Sequence, residues 1–184
     1  MSVTMGQQSF SWNRVRELFG VPYHDSRVQQ LFSDVELNPD ALLREVRVGI
    51  YSMAPYDRQP SPVAEIDLIP SFHVRFRFKH AELVTEAKTE PSKTFVMAAV
   101  TYFLEGEISE ERFAAPLPFG ILGTDSVDAL IDRVGSPPTA RILGEKEGYV
   151  IWKDRNPLLH VLFSPQENRP LRVNVFLAER NTKS

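Results

Sequence analysis

The chain of 184 residues carries 21 Lys and Arg against 24 Asp and Glu, a formal net charge of −3, with 42% hydrophobic and 10% aromatic content. That balance excludes a global attraction to phosphate, and the apolar share is large enough for a real core. Cysteine is absent, which excludes disulfides, thiolate metal sites and a thiol nucleophile; with no basic segment leading into an apolar run and no apolar window of about 18 residues, the chain reads as soluble, cytoplasmic and without membrane contact.

The first helical signal covers residues 12–18, entered from Ser11 as a side-chain cap and stopped by Gly20 and Pro22. A second helix starts at Asp25-Ser26 and sets Val28, Leu31 and Phe32 on one face at i, i+3, i+4. Asn38-Pro39-Asp40 breaks the pattern or opens another turn, and from there the period changes to two. Val46, Val48 and Ile50 suggest a strand, residues 54–62 with their three prolines a loop, and Ala64, Ile66 and Leu68 alternate with Glu65 and Asp67. Val74, Phe76 and Phe78 continue the apolar parity, and residues 95–104 read as a long, mostly buried strand.

Residues 105–111, charged and containing Gly106, are the expected junction between two units, 1–105 and 106–184, packed as one compact domain. Beyond it the order recurs. "APLPFGILGTDSVDALIDRVGSPP" gives a turn, then a helix capped by Thr124 or Asp125 with Val127, Leu130, Ile131 and Val134 inward, then a stop at Gly135-Ser136-Pro137-Pro138. Strands are expected at 140–143, 149–153, 158–163 and 171–177, and the polar tail from Glu179 is expected to fray. Phe19-Gly20 and Asp25-Ser26 match Phe119-Gly120 and Asp125-Ser126 at one constant offset, and an alternative register pairs "LFGVP" with "RVGSP". The expected fold class is α+β: two tandem helix-plus-antiparallel-meander units forming one curved sheet with helices on one face.

"EIDLIPSFHVRFRFKH" sets His73, Arg75, Arg77 and Lys79 at every second position. In a hairpin around Ile69-Pro70-Ser71, any register that keeps one side dry puts Glu65 and Asp67 opposite or diagonal to His73, Arg75 and Arg77, as cross-strand pairs worth roughly 0.2–1 kcal/mol each. The ladder is then a solvated, internally paired face; a face for an acidic protein partner is the sharper alternative. Nucleic acid is disfavoured by the acidic balance and by the lack of interleaved aromatics.

Catalytic chemistry has no signature. His24, His73, His80 and His160 form no HExxH, the His80–Glu82 HxE lacks the cysteines of a deaminase, and GxSxG, GxxxxGK[ST] and GxGxxG do not occur. Gly120 and Gly123 in "FGILG" follow two prolines and read as a turn rather than a phosphate loop. No metal, cofactor or enzymatic activity is expected, and the Asp-Ser pairs read as helix caps. Trp12 belongs to a core, while Trp152 in "GYVIWKDRN", next to Asp154 and Arg155, is either core or an anchor on the outer sheet face. Tyr51, Tyr56, Asp57 and Arg58 lie on or beside the proline-rich loop, where exposed aromatic and Arg residues form either a binding hot spot or an ordinary loop. The candidate partner-binding set adds these four to His73, Arg75, Arg77, Trp152, Asp154 and Arg155.

"LPFGILGTDSVDALIDRVGSPP", followed by "GYVIWKDRNPLLHVLFSPQENRPLRVNVFLAE", resembles small bacterial immunity proteins found beside polymorphic and contact-dependent or type VI secreted toxins. "LFGVPYHDSRVQQLF" and "FHVRFRFKHAELV" look like the first half of the same pattern, so the likeness covers most of the chain. The helix-then-four-strand order is also similar in layout to the beta-lactamase inhibitor proteins. The resemblance implies a monomer or weak dimer that binds a cognate toxin and occludes its active site. The rival expectations are a secretion chaperone or adaptor with an apolar groove, and a hydrolase using His160 with Asp154.

Overall fold

Apolar residues at alternate positions build most of the strands, and the structure, a computed structural model, describes residues 5–45, 62–85, 87, 94–104 and 113–180. The strands are β1 (Arg44–Glu45), β2 (Val63–Asp67), β3 (Val74–His80), β4 (Phe95–Phe103), β5 (Ala140–Leu143), β6 (Gly148–Trp152), β7 (Leu158–Ser164) and β8 (Arg169–Phe176). All pair antiparallel in one open, curved sheet of order β1-β2-β3-β4-β8-β7-β6-β5. Two meanders thus run inward from opposite edges and meet at their last strands. The strand suggested at Val46 to Ile50 and the junction at 105–111 lie outside the described residues.

The described helices are α1 (Met5–Ser9), α2 (Trp12–Val15), α3 (Ser26–Ser33), α4 (Pro39–Leu42), α5 (Ile69–Phe72) and α6 (Val127–Val134). The helical signal at 12–18 is α2 continued by a 3-10 turn, Arg16–Leu18. Its cap differs from expectation. Ser11 is buried and its hydroxyl makes no capping bond; the Trp12 N–H donates to the Pro116 carbonyl instead, at 3.0 Å. At α3 the expected cap forms: Asp25 Oδ1 accepts from the Arg27 N–H at 2.9 Å, and Val28, Leu31 and Phe32 are buried. At α6 the capping oxygen is that of Ser126, which accepts from the Ala129 N–H at 3.2 Å. Asp125, buried, spans the preceding turn, accepting from the Leu122 N–H at 2.8 Å and pairing with Arg133 at 2.7 Å. Gly135 ends the helix with φ 74, the left-handed conformation that glycine adopts without a Cβ clash.

One parity of every long strand faces these helices. Ile66, Phe76, Val100, Val173, Val161 and Val150 carry that face across the sheet, and all are fully buried with Phe32 and Leu130 in a single cluster. Phe76 packs between Phe10 and Phe32, with ring centroids 5.5 and 5.3 Å away. Tyr23 sets its ring edge against Phe78 at 5.2 Å and donates its hydroxyl to Asp40 at 2.9 Å. Burial, and then that carboxylate, push the phenol pKa well above its usual value. Phe76→Ala is therefore expected to lower the unfolding free energy by about 3–5 kcal/mol in urea titration. Phe176 lies on the opposite parity, next to Ala99, and Phe176→Ala should cost only about 1 kcal/mol; equal losses at the two positions would overturn the assignment of faces.

Candidate functional site: the sheet face opposite the helices

Antiparallel register lays the other parity out in three rows across the strands. One row runs Asp67, Arg75, Thr101, Asn174, His160 and Ile151. A second runs Phe103, Arg172, Leu162, Tyr149 and Ile142. The third runs Glu65, Arg77, Ala99, Phe176 and Leu158. Among the described residues, the buried helix side chains join the cluster on the opposite face. The chemistry therefore changes along the sheet: charged on β2 and β3, mixed on β4 and β8, apolar on β5 to β7.

The charged part is paired as its sequence spacing implies. Arg75 stands directly across from Asp67 and donates to it at 2.8 Å, and Arg77 stands across from Glu65 at 3.2 Å. Lys79 pairs with Glu179. His73 does not join the ladder. The loop between β2 and β3 is the helical turn α5, whose first N–H is taken by Asp67 Oδ1 at 3.0 Å; His73 closes that turn in the left-handed conformation, φ 57, and is buried. A helical turn breaks the alternation one residue before the strand resumes at Val74.

Trp152 is likewise corrected as an outer-face anchor. It shares the parity of Val150, is fully buried, and its indole N–H donates to the Ser136 carbonyl at 2.9 Å. Arg155 works inside the fold: it donates to the Val134 carbonyl at 2.6 Å and to Ser136 Oγ at 3.0 Å, and its guanidinium lies 4.7 Å from the centre of the Phe119 ring. It thereby holds the C-terminal end of α6, where cations are favoured. Asp154 accepts from the Thr139 hydroxyl at 3.4 Å, beyond the end of β6. Tyr51, Tyr56, Asp57 and Arg58 lie outside the described residues.

The apolar field was not singled out from the sequence. Tyr149, Ile151, Leu158, Leu162 and Phe176 are half-buried and Ile142 is 51% exposed. A signal for it existed: β6 and β7 are apolar at both parities, and one helix covers one face of a sheet. At its centre His160 stands opposite Ile151, with Nδ1 3.5 Å from the Asn174 amide nitrogen and the Tyr149 ring edge-on at 5.5 Å. Its contacts thus differ from the Asp154 pairing of the hydrolase alternative. Among the described residues no group of three or more His, Asp or Glu is placed to hold a metal ion, and no helix is long and apolar enough to cross a membrane. Comparison with protein-family models, with curated proteins and with solved structures finds no match to this chain.

Burial holds the His160 pKa below the ordinary imidazole value of 6.5. In the window below that value the unfolded chain binds more protons than the folded one. The contribution of the neutral ring is complete above the unfolded pKa and lost as pH falls through the folded one. Urea titrations from about pH 8 down to about pH 5 should show stability falling, with a smaller fall in His160→Leu; identical pH profiles would show that the ring is not desolvated.

Proposed function

We propose that this chain is a binding protein that docks a folded partner on the sheet face opposite the described helices, and that it serves as an immunity protein neutralising a cognate secreted bacterial toxin. The observation that carries the reading is the apolar field on β5 to β8, bordered along the same face by the Asp67–Arg75 and Glu65–Arg77 pairs. An apolar centre with a polar margin is the composition of a specific protein interface, and a contiguous patch of this kind on a folded chain usually has a partner. Occlusion of a toxin's active site needs complementary shape and charge and no reacting group of the inhibitor's own. The immunity role rests on the resemblance carried by "LPFGILG", "GYVIWKDRN" and "LRVNVFL". Cytoplasmic location and a one-to-one complex belong to the same proposal.

A secretion chaperone or adaptor is the second reading, favoured by the exposed apolar side chains of Ile142 and Leu143 on the edge strand β5, which an extended apolar segment could cover. The two readings differ in the state of the partner. The test is capture from a lysate of the source organism with wild type and with Ile151→Asp as baits, followed by calorimetry and an activity assay on the retained protein. The immunity reading expects one folded partner, bound one to one at nanomolar affinity, whose activity is lost on binding. Ile151→Asp should weaken it by about 30-fold or more, the cost of charging the centre of an interface. A partner held only as an unfolded segment moves the assignment to the chaperone, and capture that ignores Ile151→Asp places the interface elsewhere.

A further inference from the structure

His160 is half-buried in the middle of the apolar field, with Ile151 directly opposite on β6, Asn174 directly opposite on β8, and Leu158 and Leu162 two residues away on β7. The Asn174 amide nitrogen is 3.5 Å from Nδ1 and the Tyr149 ring meets the imidazole edge-on. Nε2 is buried and has no hydrogen-bond partner among the described residues. An imidazolium carries two N–H donors. Asn174 can accept from one of them once its amide turns over, and the Nε2–H is left buried without an acceptor. The charges around the ring do not repair this. From β8 comes Arg172, two residues from Asn174; from β6 come the Tyr149 phenol and, past the end of the strand, Lys153 and then Asp154, which accepts from the Thr139 hydroxyl. The acids in the rows of this face, Glu65 and Asp67, are paired with Arg77 and Arg75 on β2 and β3. β2 is four strands from β7, which is roughly 19 Å at the usual strand spacing and about twice the screening length at physiological salt.

From this arrangement we infer that docking on the apolar field is linked to protons: the face holds a folded partner while the His160 ring is neutral and releases it as acidification charges the ring. The inference rests on the docking reading above and adds its regulation. A partner that covers Ile151, Leu162 and Tyr149 with apolar groups takes His160 further from water. The neutral ring loses little by this, while the cation loses its remaining hydration and gains no acceptor. Binding therefore selects the neutral ring, and a proton on His160 competes with the partner. Burial in the free protein already acts in the same direction, holding the His160 pKa below 6.5. The sign follows: affinity is complete above the free protein's pKa and lost as pH falls below it, at up to about tenfold per pH unit for one excluded proton. The window therefore lies below about pH 6.5, at the acid side of neutrality, where no other ring of this field changes its charge.

The test selects binders to the full-length protein at about pH 8 from a display library of randomised folded domains, and sorts them by whether Ile151→Asp abolishes binding. Affinities are then measured from about pH 8 to about pH 5 on wild type, His160→Leu and His160→Gln, each shown by circular dichroism to stay folded over that range. Each profile is normalised to the same variant's affinity at the alkaline end, so titration of the binder's own groups cancels between variants. Binders that depend on Ile151 should lose at least about tenfold more affinity on wild type than on either His160 variant. The His160 imidazole proton signals in NMR should titrate at lower pH in the complex than in the free protein. Parallel profiles on wild type and His160→Leu would overturn the proton linkage while leaving the docking face in place. Affinity that rises on acidification through His160 would show an acid of the binder seated on the charged ring, and would also overturn it. Equal acid losses among binders that ignore Ile151→Asp would reduce the effect to a general response of the fold and end the inference. A library that yields only binders indifferent to Ile151→Asp would overturn the linkage and the docking reading together.

Discussion

β4 and β8 each end a meander, and their pairing fixes the phase between the two halves of the molecule. Val100 stands against Val175 and Tyr102 against Val173, so the apolar parity of the first meander continues without a break into the second. Side chains in a strand alternate with a period of two, and a slip of one residue at this join would turn the whole second meander over. Val161, Val150 and Trp152 would then face outward, and α6 would meet Tyr149, Ile151, Leu158, His160 and Leu162 in their place. The single buried cluster under both meanders is the energetic reason that the slip does not occur. Tyr102 shows how firmly the join is closed: its hydroxyl is fully buried, and burial alone pushes its pKa far above the ordinary phenol value.

Fixing the phase also fixes what is left over. The described helices present their buried residues to one face, so most apolar residues of the other parity stay half-buried or exposed, Val63 and Phe103 being among the buried exceptions. On β2 and β3 that parity is Glu65, Asp67, Arg75 and Arg77, which neutralise one another across the strand pair. On β6 and β7 it is Tyr149, Ile151, Leu158 and Leu162 around His160, which pair with one another across the strands as apolar contacts and not as ions. Exposed ion pairs contribute little to stability, and cross-strand apolar pairs on a sheet face contribute about 0.2–1 kcal/mol each. The apolar half of this parity lies on the second meander, and that is where the proposed docking face is placed.

Much of the fold was legible because it depends on local patterns. The alternation in residues 64–68 and 74–78, the i, i+3, i+4 face of α3 and the glycine stop at Gly135 each have a single structural solution. Parity alone put Glu65 and Asp67 on one face with Arg75 and Arg77, and the observed register makes the pairs Asp67–Arg75 and Glu65–Arg77. Three features were hidden for identifiable reasons. Thr124, Asp125 and Ser126 can all cap a helix, and only the turn at Leu122 shows that Asp125 is occupied elsewhere. "GYVIW" is apolar at both parities, so nothing local says that Trp152 faces the helices and Ile151 does not. Arg155 reaches back to Val134 and Ser136 across the helix–strand connection, a tertiary contact without a local signature. The candidate site was hidden for the second of these reasons: its members are recognisable only after the helices have been assigned to one face.

An apolar sheet face beside an open edge invites indiscriminate pairing, and the second meander carries several devices against it. β5, the edge strand, has only four residues, and Arg141 in its middle pairs with Asp128 of α6. Short edge strands bearing a charge are poor templates for strand addition. The turn that follows is Glu145-Lys146-Glu147, fully polar and exposed, and Gly148 then lets β6 approach so closely that a Cβ there would lie 2.7 Å from the Ile142 carbonyl oxygen. Arg172 places a cation inside the field itself. These features discourage contact along the edge and leave the flat of the face open, which favours a folded partner seated across several strands over an extended segment added beside one. The same distinction separates the two readings proposed above, an inhibitor and a chaperone.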